Sequence, residues 1–405
     1  MPVRGGAGVA LLIVRRHLVP SGPVVRFPLS GRAVMARFVS FVLFLLLPVL
    51  AVAEPALEAD LQSVVDCYLA ENPMAPGVST HVICPGLNLD HSFAAGIDNR
   101  GSDVPLTGAH TFRIASNTKT YVAAALLRLV EQDRLKLDDS LGQHLSAERR
   151  ALLVGDGYDL EAITIAQVLS HTAGLAEHPA DPRFAEMIYA DPQREWTADE
   201  QVRLMVEWLD PVGPPGGRYL YSDTGYVLLG GIIEGLTGHP LGVAVHELLN
   251  YERLGLDATW WEYSEQVPVG AGPRAHQYIG EHDILDWNLS LDLFGGGGLV
   301  TDAPDLAVFM RLLLQGVVLR DDATLASMIG GGTAPYRLGL MSMELGGYVV
   351  FGHQGFWNTF AFHVPALDLT VSGCLLNHDA VNGKELAAAL IERVAVEQAT
   401  VAGNK

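Results

Sequence analysis

Apolar side chains recur at helical spacing over residues 54–70, which predicts a first helix. Residues 81–84 and 88–95 alternate as strands do, with Pro85 and Gly86 between them, and predict a hairpin. From Ser116 to about Leu289 the helical period dominates. Val122, Ala125, Leu126, Leu129 and Val130 mark a helix over 116–132, and 165–169, 198–209, 224–236 and 243–249 read as further helices. The glycines at 295–298 interrupt this pattern. Residues 302–314 then predict one more helix, with Thr301 or Asp302 as its cap and Pro304 in its first turn. Strand-like runs follow at 338–345, 347–352, 359–364 and 369–376, the last two joined by the turn 365–368, and 385–398 closes the chain as a helix. Strands at both ends with helices between them imply an α/β (α+β) fold. Its antiparallel sheet is built from both chain ends, flanked by the first and last helices, with an inserted mostly helical lobe. We place the sheet lobe at about 54–112 and 295–398, the helical lobe at about 113–294 and a tail at 399–405. A cleft between lobes is the natural place for a site.

The segment before Glu54 changes the picture. Residues 38–50 form an apolar run of signal-peptide length, Arg37 precedes it, and Ala51-Val52-Ala53 has the form of a cleavage site. Met35 stands where such a leader begins, so residues 1–34 read as an over-long start. We expect a secreted or periplasmic protein whose catalytic domain spans about 54–398 and keeps no membrane span. The alternative is an uncleaved anchor, for which the run is short. The chain of 405 residues is 49% hydrophobic and 18% charged, with a formal net charge of -20. That excludes disorder and argues against nucleic acid, whose phosphates need a basic surface. Of the three cysteines, Cys67 and Cys84 are positioned either to pair in an oxidising compartment or to remain thiols, and Cys374 lies in an apolar run.

Three short elements carry chemistry. Ser116-Asn117-Thr118-Lys119 opens an apolar helix, where a serine is commonly only a cap. Residues three apart share a helical face, however, so the Lys119 amine can approach the Ser116 hydroxyl and act as its base. Tyr221-Ser222-Asp223 opens a second apolar helix; either Ser222 or Asp223 caps it, or Tyr221 lends its phenol to a proton relay beside the lysine. His353-Gln354-Gly355-Phe356 lies where one strand-like run gives way to the next. Glycine there lets a substrate chain lie close to the backbone, and His353 is placed to contact a substrate carboxylate or carbonyl.

In this order and context the three elements resemble the penicillin-binding protein and class C β-lactamase superfamily, which includes D,D-carboxypeptidases, D-aminopeptidases and carboxylesterases. Leu169-Ser170-His171-Thr172-Ala173-Gly174-Leu175, Leu254-Gly255-Leu256-Asp257-Ala258-Thr259 and Gly296-Gly297-Gly298-Leu299-Val300-Thr301 extend the resemblance over roughly residues 60–395. The resemblance implies a β-lactamase/transpeptidase-like fold with Ser116 as nucleophile, Lys119 as proton acceptor and Tyr221 as proton shuttle. It also implies the backbone N–H groups of Ser116 and Phe356 as oxyanion hole, His353 along the substrate strand and His171 as a structural residue beneath the site. No zinc spacing is visible and no cofactor is implied.

Two departures shape the expected activity. Asp223 stands where the family usually has asparagine, and an ionised carboxylate only accepts hydrogen bonds. It would favour the charged lysine and repel a substrate anion. His353 stands where β-lactamases carry lysine, and a neutral imidazole holds a carboxylate less firmly. Both favour an amide- or ester-cleaving peptidase or esterase of the D,D-peptidase type over a β-lactamase. A third reading is a non-catalytic binder that uses the same cleft to sense peptidoglycan fragments. The expected partner is a small-molecule or peptide substrate, and Trp357, Trp287 and Tyr278 are candidate cleft aromatics.

Overall fold

The computed structural model describes residues 54–332 and 335–403. The leader read over 35–53 lies outside the described residues. Six antiparallel strands form the main sheet, in the order Leu89–Gly96, Gly77–Cys84, Leu369–Leu375, Thr359–Val364, Tyr348–Gly355, Met341–Leu345. Both ends of the described chain therefore meet at its centre, where Val78 pairs with Leu375 and Val82 with Val371.

Strand alternation assigns the two faces. Val78, Val82, Phe360, Phe362, Val371 and Leu375 point to one side, where they bury against Leu57, Leu61 and Val65 of the helix Glu54–Ala70 and Leu386, Leu390 and Ile391 of the helix Gly383–Gly403. The other face is more polar: Thr359, Ala361, Ser372 and Cys374 lie on it, and Ser372 Oγ donates to the Ala303 carbonyl at the start of Ala303–Leu314 at 2.6 Å. That helix is capped by Asp302, which accepts from Asp305 N–H at 2.9 Å, and Pro304 needs no N–H partner in its first turn.

A second apolar core lies within the helical region. Tyr121, Leu126, Tyr226, Leu229 and Phe309 are fully buried there, and Tyr121 stacks on Phe309 at 3.5 Å between ring centroids. The expected helix over 116–132 resolves into a 3-10 turn, Ala115–Asn117, and the helix Thr118–Glu131. Residues 338–345 depart further from expectation. Only Met341–Leu345 joins the sheet; 335–340 is a strap laid over the helices, with Tyr336, Leu338 and Leu340 all buried and Gly339 at φ +78. Cys67, Cys84 and Cys374 are free thiols, and Cys84 accepts from Gln398 Nε2.

Candidate active site

Ser116 occupies the 3-10 turn just before the helix that carries Lys119. The residue ahead of it, Ala115, has φ +45, a left-handed conformation that a side chain adopts only when its surroundings hold it there. Trp357 and Leu289 pack around it. The turn is tied to the sheet through Asn117, whose Nδ2 donates to the Ile114 carbonyl at 3.2 Å and to Thr359 Oγ1 at 2.9 Å. Gly355 makes the close approach possible: a Cβ there would fall 2.2 Å from the Ile114 carbonyl.

Lys119 lies on the same helical face as Ser116, as the three-residue spacing requires. Its Nζ donates to Ser116 Oγ at 3.0 Å and to the Gly296 carbonyl at 2.6 Å, and it lies 2.5 Å from Asp223 Oδ1. The side chain is wholly buried. Asp223 is free for this pairing because Ser222, not Asp223, caps the helix Asp223–Thr237: Ser222 Oγ accepts from Gly225 N–H at 3.1 Å. Burial works to raise the Asp223 carboxyl, but the charge and hydrogen bond of Lys119 outweigh it and hold the group below its ordinary value.

The Tyr221 ring lies 5.0 Å from Lys119 Nζ, and the neighbouring Ser116 works to lower its phenol. The lysine beside it does not lower the phenol. Burial, and then the negative charge of Asp223, push Tyr221 well above 10, so it rests as a phenol and is a proton donor before it is a base. His171 supports it from beneath: its ring lies 4.3 Å from that of Tyr221, its Nδ1 accepts from Ser222 N–H at 3.1 Å, and its carbonyl accepts from Leu220 N–H at 2.8 Å.

His353 differs most from its expected place. The side chain is fully buried, and both ring nitrogens are used within the protein. Nδ1 lies 2.6 Å from the Gln354 carbonyl and must donate to it; Nε2, 2.8 Å from the Tyr336 hydroxyl, therefore accepts. Burial, and then nearby Lys119, lower the imidazole to about 3. It is neutral and engaged, and offers no nitrogen to a substrate carboxylate. Phe356 is 53% exposed beside it, its ring stacked on His378 at 4.0 Å. Of the proposed cleft aromatics, Trp357 touches the nucleophile turn and Trp287 packs against the same small cluster. Tyr278 sits elsewhere, accepting from Arg100 N–H at 3.0 Å.

Two acids that the motifs did not reveal belong to this site. A Cβ on Gly296 would meet Asp223 Oδ1 at 3.4 Å and Lys119 Nζ at 3.6 Å, and one on the next residue, Gly297, would fall 2.2 Å from Asp292 Oδ1. The bare backbone of these two glycines thus seats both carboxylates close to the lysine. Glu177 approaches from the segment after His171. Burial and the charge of Asp223 raise it to about 8, and burial raises Asp292 to about 7 against the pull of Lys119. The glycine run at 295–298 was the available signal for Asp292; nothing in sequence singled out Glu177. Among the described residues no group of three or more His, Cys, Asp or Glu side chains is arranged to hold a metal ion.

A serine and a buried lysine on one helical face, with a tyrosine ring over the lysine and a strand end closed upon them, form the arrangement that an activated serine nucleophile requires. The profile of the Beta-lactamase family matches residues 68–395, and the chain belongs to that family. It is 28% identical to putative D-alanyl-D-alanine carboxypeptidases of Salmonella paratyphi A and Salmonella newport over 246 residues, 53% of this chain and 54% of each relative. The chain thus spans about half the length of these curated relatives. Among solved structures it resembles a D-stereospecific amidohydrolase from a Streptomyces species, with 28% identity, a TM-score of 0.70, and coverage of 82% of this chain and 97% of that one. The D-amino acid amidase of Ochrobactrum anthropi, solved with L-phenylalanine amide, has the same fold, with 23% identity, a TM-score of 0.70, and coverage of 86% and 99%.

Proposed function

We propose that this enzyme acylates Ser116 with amide or ester donors that carry a protonated amine and no carboxylate near the scissile bond. The observation that carries this reading is the ring of carboxylates, Asp223, Asp292 and Glu177, around a lysine already paired with one of them. Among the described residues no unpaired cation is placed to balance them. Arg113, the next guanidinium to act on Asp292, is held by Glu262 at 2.7 Å, and His353 and His178 are lowered by burial to about 3 and about 4. Glu177 and Asp292 hold their protons because each carboxylate would be buried without a partner; an ammonium seated beside them would let them ionise and pair with it, whereas an anionic donor would hold them protonated and gain no partner.

Lys119, once neutral, takes the Ser116 proton as Oγ attacks the carbonyl carbon. In this reading the backbone N–H groups of Ser116 and Phe356 serve as the oxyanion hole. Tyr221 passes a proton to the departing amine or alcohol as the C–N or C–O bond breaks. Water then attacks the acyl ester, its proton goes to the relay, and Ser116 recovers its own. The names of the Streptomyces amidohydrolase and the Ochrobactrum amidase agree with such a donor. A carboxypeptidase substrate, with its free carboxylate, fits the acidic surroundings less well.

The test is hydrolysis of amino acid p-nitroanilides of both hands, their N-acetylated forms, and dipeptides with a free C-terminus. The free-amine donors should be turned over at least about tenfold faster than the acetylated ones, since a hydrogen bond to a charged group is worth about 1.5–3 kcal/mol. Equal rates, or faster cleavage of the carboxylate-bearing dipeptides, would overturn the ammonium reading.

A further inference from the structure

Tyr336 belongs to no motif, yet it touches both ends of the site. The strap that carries it, 335–340, is fixed to the nucleophile helix: Thr120 Oγ1 donates to the Gly339 carbonyl at 2.8 Å, Gly339 N–H donates to the Leu169 carbonyl at 3.2 Å, and a Cβ on Gly339 would fall 2.2 Å from Ala123 Cβ. The Tyr336 ring is fully buried among the site's other rings. It lies edge-on to His171 at 4.5 Å, to His353 at 5.5 Å and to Tyr221 at 6.2 Å, and stacks with Tyr219 at 5.9 Å. Its hydroxyl lies 2.8 Å from His353 Nε2, and His353 Nδ1 lies 2.6 Å from the Gln354 carbonyl.

These contacts form one directed chain. The Gln354 carbonyl accepts, so the imidazole carries its proton on Nδ1, and Nε2 is left with a lone pair that only a donor can satisfy. The Tyr336 hydroxyl is that donor. The Gln354 carbonyl lies in the peptide plane shared with Gly355 N–H, and the next peptide presents Phe356 N–H. Holding that carbonyl holds the strand end that must aim a donor at the oxyanion. Tyr226, also near, already donates its hydroxyl to the Leu169 carbonyl at 2.9 Å and cannot replace it.

We propose that Tyr336 is a positioning residue for the reaction at Ser116, acting through His353 to fix the peptide ahead of Phe356 and through its ring to hold Tyr221. The proposal rests on the acyl-enzyme reading. Tyr336 thus explains why a histidine whose expected place is along the substrate is buried instead: its work is on the backbone.

The experiment uses the full chain with an activated ester and four proteins: wild type, Tyr336→Phe, His353→Gln and the double variant. Tyr336→Phe keeps the ring and removes only the hydroxyl. We expect kcat to fall on the order of tenfold or more with KM within about twofold, as for a misaimed donor that acts in the transition state. His353→Gln should fall comparably, and the double variant no further than the worse single one, because the two residues act in series. In 15N-histidine NMR spectra the wild-type His353 should be the neutral Nδ1–H tautomer from pH 8 to pH 5, and Tyr336→Phe should lose that single form. Unchanged kcat in Tyr336→Phe, a change in KM alone, or additive losses would overturn the proposal. If Tyr336→Phe does not fold, His353→Gln decides through the same kcat and KM split. A wild type that shows no turnover beyond Ser116→Ala would defeat the acyl-enzyme reading itself, and the positioning role with it.

Discussion

At the scale of single residues, the site is governed by the charges surrounding one buried lysine. Asp223 is the nearest, at 2.5 Å from Nζ. Replacing it with asparagine keeps the shape and removes the charge that opposes proton transfer from Ser116 to the amine. Asp223→Asn should therefore acylate faster at neutral pH, by several-fold to about tenfold, in a time course of Ser116 adduct mass. An unchanged or slower rate would show that the carboxylate is needed for another step. Glu177 and Asp292 make a different prediction, in stability. Each carboxyl is raised in the fold, to about 8 and about 7, so the folded chain keeps a proton that the unfolded chain has lost. Their contribution is full below the ordinary carboxylate range and is lost as pH rises through 7 to 8. Glu177→Gln and Asp292→Asn should each raise Tm at pH 8.5, by a few degrees for about 1 kcal/mol, and leave it nearly unchanged at pH 4. A rise of equal size at both pH values would contradict the assigned ionisation.

At the scale of elements, much was legible in sequence, and the exceptions have physical causes. The helix Glu54–Ala70 and the strand Thr359–Val364 follow the bounds that periodicity sets. Tyr336, Leu338 and Leu340 alternate like a strand, but alternation reports burial, not pairing. All three insert between helices, and Gly339 turns the chain where a ladder would continue. Ser116 and Lys119 could be placed together because three residues make nearly one turn of helix. Asp292 and Tyr336 could not, since they lie 173 and 217 positions along the chain from Lys119 and only the tertiary fold brings them to the site. His353 was placed on the right strand and given the wrong surroundings for the same reason. The junction between sheet and nucleophile turn is testable at Gly355. A methyl there has no room against the Ile114 carbonyl and Thr359 Oγ1, each 2.2 Å from its position. Gly355→Ala should cut kcat/KM by about 100-fold or more, as a displacement near 1 Å does. Gly235→Ala is the contrasting case: its Cβ meets nothing within 4 Å in the last turn of the helix Asp223–Thr237, and it should stabilise by up to about 1 kcal/mol with activity intact. Kinetics and thermal melts on both variants check the pair.

At the scale of the whole molecule, the sheet separates two apolar cores, and the site lies where the helical core meets the sheet's more polar face. The formal charge of -20 extends the local acidity outward. A cationic donor should be drawn toward such a protein and a neutral one should not. The value of kcat/KM for an amine-bearing ester should therefore fall as salt rises, while that for its acetylated form stays level. Parallel salt responses for the two would remove the electrostatic part of the account. The central claim, that Ser116 forms a covalent acyl-enzyme, is tested most directly by intact mass. Protein starting at Glu54 is incubated with an activated amine-bearing ester, with a penicillin in parallel, and Ser116→Ala serves as control. The account predicts a mass gain equal to the acyl group of the ester on the wild type alone, with little or none from the anionic penicillin. An adduct that persists in Ser116→Ala, or hydrolysis that does not depend on Ser116, would contradict it.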